Sequence, residues 1–582
     1  MGTISDKLMR IINTKEDIRQ ALISKGYDVP TSIPFKEYAK MILDLPCKVD
    51  YFPDIEGIVA RYSASGLTNE QMAANPVWVD KTGNGHDIQL KNFSWKGMSG
   101  VGGYEMNFNL WRNNVSSIPD ISMSTTTTSV SVSVGNSTYN NNLIYIHISN
   151  WDINKNHWLK VTSTYEDGDL VFKFYNDNNS KNIELPANGY VNIPAYPEFK
   201  GSYMYISTIS NKQGSFTIEQ LPLYPGALVF DGVDDYGVCE NFPILTKEKG
   251  YTVVVLRQWD QDFLNTTLTG GLLSTRNYST GEGVAFEKIE SSNKGYWNLG
   301  AGSIIDFAKS PFTWQTSKQY NNVGILKGDK NHGKPLCVGC GLSGGQQCGR
   351  FAIWELVFLD HDATEEELTK IKDYFVKTYP WLFPDKAWTV TGKTNEDEDR
   401  ATIANITGNG NDLVLSNFGF AEGSGYNEEG EYAGYLVTDG VDDKIISSIF
   451  KMGNDWTVIG DWELINTGKN DNAGIVKFDS IVIYNYNYNS MLINIKNGRN
   501  ILIPDQNTVN AICSDGRIYS KDWKESIYNE ETESTSKNLL TIGYSGNIYT
   551  KIAFKNLAIY PTVLSREDCI KAYNYLQTLK AK

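Results

Sequence analysis

Long apolar runs, positive charge, histidine and paired cysteine are all scarce in this chain, and each scarcity narrows what it can be. No stretch of the 582 residues has transmembrane length. Lysine and arginine number 53 against 68 aspartate and glutamate, a net charge of −15. That balance argues against a nucleic-acid partner, which needs a basic face, and no Lys/Arg run breaks the pattern. Seven cysteines (47, 239, 337, 340, 348, 513 and 569) are an odd number spread along the chain. The opening residues, Met1-Gly-Thr-Ile-Ser-Asp-Lys-Leu, lack the apolar core of a signal peptide. The expectation is a soluble chain made in a cytoplasm, without membrane insertion and without a disulfide framework.

What is abundant points to β-structure. Aromatics make up 12% of the chain, led by 34 Tyr, and 51 Gly accompany them. Aromatic side chains suit half-buried pleated surfaces, and glycine suits tight turns. The length suggests about three or four domains.

The one N-terminal helical segment is predicted within residues 1–50. Thr14 with Asp17 reads as an N-cap, and Ile18, Ala21 and Leu22 share a face before Gly26. Pro34 opens a second helix with Phe35, Tyr38 and Ile42 on one side. Two such short stripes need a partner surface, either this chain's own body or another protein.

An internal repeat dominates the remainder. Thr82-Gly-Asn-Gly-His-Asp87, with Ile88, Leu90 and Asn92-Phe93, returns 325 residues later as Thr407-Gly-Asn-Gly-Asn-Asp412, with Leu413, Leu415 and Asn417-Phe418. Asp231-Gly-Val-Asp-Asp235 returns after 208 residues as Asp439-Gly-Val-Asp-Asp443. Ala352, Leu356, Phe358, Thr364, Glu367 and Tyr374 return after 201 as Ala553, Leu557, Ile559, Ser565, Asp568 and Tyr575. The fall from 325 to 208 implies about 117 extra residues in the first copy. The predicted organisation is a first β-sandwich over 51–107 and 227–382, a β-rich insert over 108–226, and a second sandwich over 386–582. Val130, Val132 and Val134 alternate as a strand, and Leu170, Phe172 and Phe174 follow the turn Asp167-Gly168. Each copy ends in a strand and a capped helix, Thr364 with Glu367 and Ser565 with Asp568.

Several motifs carry chemistry. Asp231, Asp234 and Asp235, with Asp439, Asp442 and Asp443, offer oxygen ligands to a hard cation such as calcium, while Asp-Gly is also ordinary turn chemistry. Cys337, Cys340 and Cys348, with His332, have the ligand types of a zinc site, or are unpaired loop thiols. Tyr484, Tyr486 and Tyr488 alternate with asparagine, a pattern shared by sugar-stacking platforms and half-buried strands. Gly341-Leu-Ser343-Gly-Gly345 mimics a nucleophile elbow, but a strand rather than a helix is predicted after it and no histidine partner stands out. Gly328 to Lys334 mimics a phosphate loop, yet Pro335 stands where the magnesium-holding hydroxyl belongs. No carboxylate pair of glycosidase type is legible.

The run Leu228-Val-Phe-Asp231-Gly-Val-Asp-Asp-Tyr236 and the terminal strand-then-helix resemble the laminin-G-like, concanavalin A-like sandwich superfamily, with jelly-roll β-sandwiches. The resemblance implies glycan binding and, in some members, calcium. Thr3-Ile-Ser-Asp-Lys-Leu8, Thr14 to Ala21, Gly26-Tyr-Asp-Val-Pro30 and Phe35 with Tyr38-Ala39 are similar to the N-termini of tail and fibre proteins in phages and prophages of gut Bacteroidales. Together these imply a non-enzymatic virion protein: a fibre, spike or tail-associated adhesin. It would bind other virion proteins through Ile18, Ala21, Leu22, Phe35, Tyr38 and Ile42. It would form a homo-oligomer such as a trimer and bind host surface glycan. A purely architectural virion protein and a glycan-degrading enzyme of the same fold are the rival readings.

Overall fold

A computed structural model describes residues 52–581, save for internal stretches, chiefly 114–120, 136–141, 276–284, 307–322, 328–334, 466–473, 504–508 and 528–539. The helical segment expected before residue 51 lies outside the described residues.

The fold is mainly β, as the composition implies. One long strand organises each sandwich. Arg350–Leu359 pairs along one edge with Thr252–Trp259. Its other edge is shared end to end by Leu228–Asp231 and Ile58–Ser63. In the second sandwich Ile552–Tyr560 pairs with Thr457–Leu464 on one edge, and with Leu436–Val437 and Lys386–Thr389 on the other. The facing sheets share an eight-strand path, to which the first adds Cys340–Leu342 and Gln346–Cys348. One runs Val77–Trp78, Ile88–Lys91, Tyr236–Cys239, Leu336–Val338, Gly270–Ser274, Ala285–Lys288, Lys294–Trp297, Ser303–Asp306. The other runs Thr402–Ile403, Leu413–Ser416, Lys444–Ser447, Thr541–Ile542, Gly474–Phe478, Ile481–Asn487, Ser490–Ile495, Arg499–Ile503. A register shift falls at the same place in both copies, between Leu256 and Arg257 and between Asp461 and Trp462.

The central strand is buried on both faces, because one face meets the sandwich core and the other meets the following helix. Helix Glu365–Thr378 starts on a reciprocal capping box between Thr364 and Glu367 and buries Leu368, Ile371 and Phe375. Helix Arg566–Gln577 starts on Ser565, whose hydroxyl accepts from the Asp568 N–H at 3.1 Å and donates to its carboxylate at 2.7 Å.

Two sheets of five strands each, spanning Arg112–Asn113 to Gly214–Gln220, interrupt the first sandwich and enclose their own core around Trp111, Phe172, Phe174 and Phe216. At the neck, Tyr224 N–H donates to Gly102 O and Leu223 N–H to Gly103 O. The buried Gln220 amide clamps both main-chain groups of Met106, accepting from its N–H at 3.1 Å and donating to its carbonyl at 2.6 Å. A loop closed by such a neck admits a large insertion at little cost, since closure entropy grows slowly with length.

The C-terminal helix joins the three bodies. Tyr573 meets Trp158 of the insert edge-on at 5.0 Å, Tyr575 meets Trp354 of the first sandwich at 6.3 Å, and Arg566 lies over Tyr190 of the insert at 5.9 Å. Gln258 of the first sandwich donates to Thr578 Oγ1 at 3.0 Å, and Lys580 pairs with Asp262.

The two sandwiches differ in polar interior. In the first, Glu355 is fully buried, binds the Arg61 guanidinium at 3.2 Å and accepts from the Tyr379 hydroxyl at 2.7 Å. The repeat puts Asn556 and Ala387 at those places, so the second sandwich holds no such pair. Glu355→Ala strands the Arg61 charge in the interior, which costs about 3–5 kcal/mol. Chemical denaturation is expected to show a loss of that size for Glu355→Ala and less than a third of it for Asn556→Ala.

Candidate functional site

The duplicated Asp-Gly-Val-Asp-Asp turns, each crossing from one sheet of its sandwich to the other, have one design. Asp231 Oδ1 accepts from Val233 N–H at 2.7 Å and Asp234 N–H at 3.4 Å, and Asp235 Oδ2 accepts from Asp231 N–H at 3.0 Å. Asp439 Oδ1 accepts from Val441 N–H at 2.7 Å and Asp442 N–H at 3.2 Å, and Asp443 Oδ2 accepts from Asp439 N–H at 2.7 Å. Gly232 and Gly440 sit at φ 75° and 74°. A side chain at Gly232 would come within 2.9 Å of Arg350 Cβ and 3.0 Å of its backbone nitrogen, so both conformation and space demand glycine.

Distant residues complete each turn. Ser99 Oγ donates to Asp235 Oδ1 at 2.9 Å, and Ser424 Oγ to Asp443 Oδ1 at 3.1 Å. Asn92 and Asn417, both left-handed at φ 67° and 70°, donate side-chain N–H groups to Asp234 O and Asp442 O at 3.1 and 3.0 Å. Asn92 and Asn417 stand in the repeat itself. Ser99 and Ser424 share its 325-residue spacing, and that shared spacing is the signal that would have found them.

Each Asp trio brings a carboxylate oxygen from every member within 4.8 Å of the others. Burial, then the adjacent Asp231 charge, pushes Asp235 up to about 7, and burial pushes Asp443 up to about 6. A donor set this short of positive charge suits a hard cation. Three carboxylates alone fall short of the six to eight oxygens calcium takes, and several of their lone pairs already serve the turn. Val233 and Val441 stand at the tips, 71% and 70% exposed.

Beside the first trio, Cys337, Cys340 and Cys348 are buried. Cys340 and Cys348 are cross-strand partners, whereas Cys337 belongs to a different ladder, opposite Val238 and Ser274. The three pack together in a small cluster with Val238 and Tyr236. Burial, with Cys340 and the aspartates nearby, pushes the Cys348 thiol up to about 12, while the hydrogen bond with Cys340 lowers the Cys337 thiol. His332 and Ser343 lie outside the described residues, as do Ile18, Ala21, Leu22, Phe35, Tyr38 and Ile42. Tyr484 and Tyr486 fall in strand Ile481–Asn487, whose backbone alone is described, and Tyr488 lies outside.

A cleft of about 390 Å³ opens where the three bodies meet, lined by Trp158, Asp260, Asp262, Lys555 and Gln577 among others. Its carboxylates are engaged. Asp260 accepts from Phe263 N–H at 2.8 Å and faces Arg350 at 3.9 Å, Glu105 faces His157 at 3.6 Å, and Asp262 pairs with Lys580.

The raised aspartates set a pH dependence. An unfolded aspartate loses its proton near pH 4, at about 3.9, while folded Asp235 and Asp443 hold theirs to about 7 and about 6. Between those values the folded chain binds more protons, so stability falls as pH rises. In EDTA the melting temperature is expected to drop from pH 4.5 to 8, and Asp235→Asn with Asp443→Asn to flatten that slope. A calcium-induced rise at pH 8, absent from the double variant, would assign the trios to a cation. No response would leave them as turn hubs.

No protein-family model matches the chain, and no curated protein matches it. Among solved structures, a Trypanosoma rangeli sialidase in complex with sialic acid is 8% identical, over 79% of this chain and 85% of that one, at a TM-score of 0.25. The botulinum neurotoxin serotype D binding domain is 10% identical, over 59% of this chain and 90% of that one, at 0.23. Likeness at these TM-scores carries no argument about the fold or function of this chain.

Proposed function

We propose that this chain is a non-enzymatic attachment protein of a bacteriophage particle, which presents its sandwiches to glycans on the host surface. In this reading residues 1–45 join it to other virion proteins, and copies assemble as a homo-oligomer such as a trimer. The observation that carries the binding part is the repetition of one turn, with its carboxylate trio, serine, asparagine and exposed valine, on two sandwiches that share a common strand order. Two copies of a weak site on one chain raise avidity without any new contact. The virion assignment rests on the N-terminal sequence similarity to Bacteroidales tail and fibre proteins. A purely architectural role is favoured by one observation, that the aspartate carboxylates already serve their own turns.

Purified full-length chain is expected to bind bacterial polysaccharides on a glycan array and to release no reducing ends from those it binds. Gold-labelled antibody against it is expected to decorate intact particles. Reducing-sugar release would make it an enzyme. Decoration without any glycan binding would leave it architectural, and absence from particles would overturn the virion assignment.

A further inference from the structure

The insert presents two outer faces, and they differ. The face carrying Trp158 and Tyr190 is docked against the C-terminal helix. The opposite sheet, of strands Asn179–Leu185, Leu170–Asn176, Tyr203–Thr208, Asn142–His147 and Arg112–Asn113, turns its other side outward. Phe172, Phe174, Met204, Ile206, Ile144 and Ile146 point into the core, so Lys173, Tyr175, Tyr203, Tyr205 and Tyr145, which alternate with them, point out.

Those outward positions form two rows across the strands. In one, Arg112 is opposite Tyr145, Tyr145 opposite Tyr205, and Tyr205 opposite Lys173. In the next, Tyr203 is opposite Tyr175, and Tyr175 opposite Ser180. Tyr145 meets Tyr203 at 5.6 Å and Tyr205 at 6.2 Å, and Tyr203 meets Tyr205 at 6.3 Å. Tyr175 and Tyr203 remain 46% and 43% exposed. Lys173 Nζ lies 5.8 Å over the Tyr175 ring. Arg112 is held by the carbonyls of Asn109 and Trp111 at 2.8 and 3.0 Å. The first carboxylate on the outward side, Glu184, lies beyond these rows, opposite Val171.

We infer that this four-tyrosine face, bounded by Arg112 and Lys173, binds an acidic polysaccharide. The inference rests on the glycan-binding reading above and adds to the two sandwich turns a further site, on the insert, with its ligand class. Folding does not need four large aromatic rings gathered on an outward face, and a contiguous exposed aromatic patch marks a contact surface. Tyrosine joins an apolar ring, which stacks on the C–H face of a pyranose, to a hydroxyl that bonds its alcohols. A cation at each end of a tyrosine pair, on a chain of net charge −15, matches a ligand bearing an occasional acid. A nucleic acid fits less well. The rings tilt against one another without a parallel slot for a base, and two cations are few for a charge on every residue.

The test is affinity electrophoresis of the full-length chain in gels containing hyaluronate, which has one carboxylate per disaccharide, in gels containing neutral dextran, and against oligo(dT). Wild-type protein is expected to be retarded by hyaluronate more than by dextran. Tyr203→Ala with Tyr205→Ala is expected to weaken hyaluronate binding tenfold or more with the thermal transition unchanged. Lys173→Glu, which keeps every ring, guards against misfolding of the double variant and is expected to remove the preference for hyaluronate over dextran. Carbohydrate binding that survives both variants would overturn the tyrosine face and leave the glycan-binding reading standing. Absence of carbohydrate binding by the wild type would overturn both, and tighter binding of oligo(dT) would replace the ligand class with nucleic acid.

Discussion

Burial of the C-terminal helix on several sides at once is the constraint on which the arrangement of this molecule depends. A helix that closes a sandwich needs one apolar stripe, and Glu365–Thr378 has that and no more, with Leu368, Ile371 and Phe375 inward. Its counterpart Arg566–Gln577 also buries Cys569, Ile570, Ala572, Tyr573, Asn574, Tyr575 and Leu576. Tyr573 and Tyr575 reach tryptophans of two other bodies. Large aromatics carry much of the energy of such contacts. By engaging one face of the insert, the helix leaves the opposite, tyrosine-bearing face outward. By drawing the bodies together, it encloses the cleft among them.

The same fold used twice shows which features belong to the architecture and which to one copy. The shared strand path, the shifted register, the helix cap and the aspartate turn recur. The buried Arg61–Glu355 pair does not, and its replacement by Ala387 and Asn556 shows that the sandwich forms without it. A buried ion pair costs desolvation energy that its attraction only partly offsets, so its loss from one copy is physically unsurprising.

Local chemistry made part of this legible in the sequence. The caps at Thr364 and Ser565 follow from residue spacing along one helix turn, and Asp-Gly fixes a turn through its left-handed glycine. Equal spacing of motifs marked corresponding strands because each copy builds the same ladder. Long-range partners were not legible. Ser99 reaches Asp235 across 136 residues, and nothing in either segment announces the other. The tyrosine face is likewise assembled from Tyr145, Tyr175, Tyr203 and Tyr205 on three strands, each looking ordinary in its own segment. The compact run from Tyr484 to Tyr488 drew notice because its alternation is local. Cys337 and Cys340, close in sequence, stand on different strands and still pack with Cys348 in one small cluster.

The central claim is that this chain attaches a particle to a cell through surface carbohydrate. Its most direct test is the binding of purified full-length protein to Bacteroidales host cells and to isogenic cells stripped of their surface polysaccharide. The account predicts saturable binding to the first, competed by the free polysaccharide, and at least tenfold weaker binding to the second. Equal binding to both would contradict it.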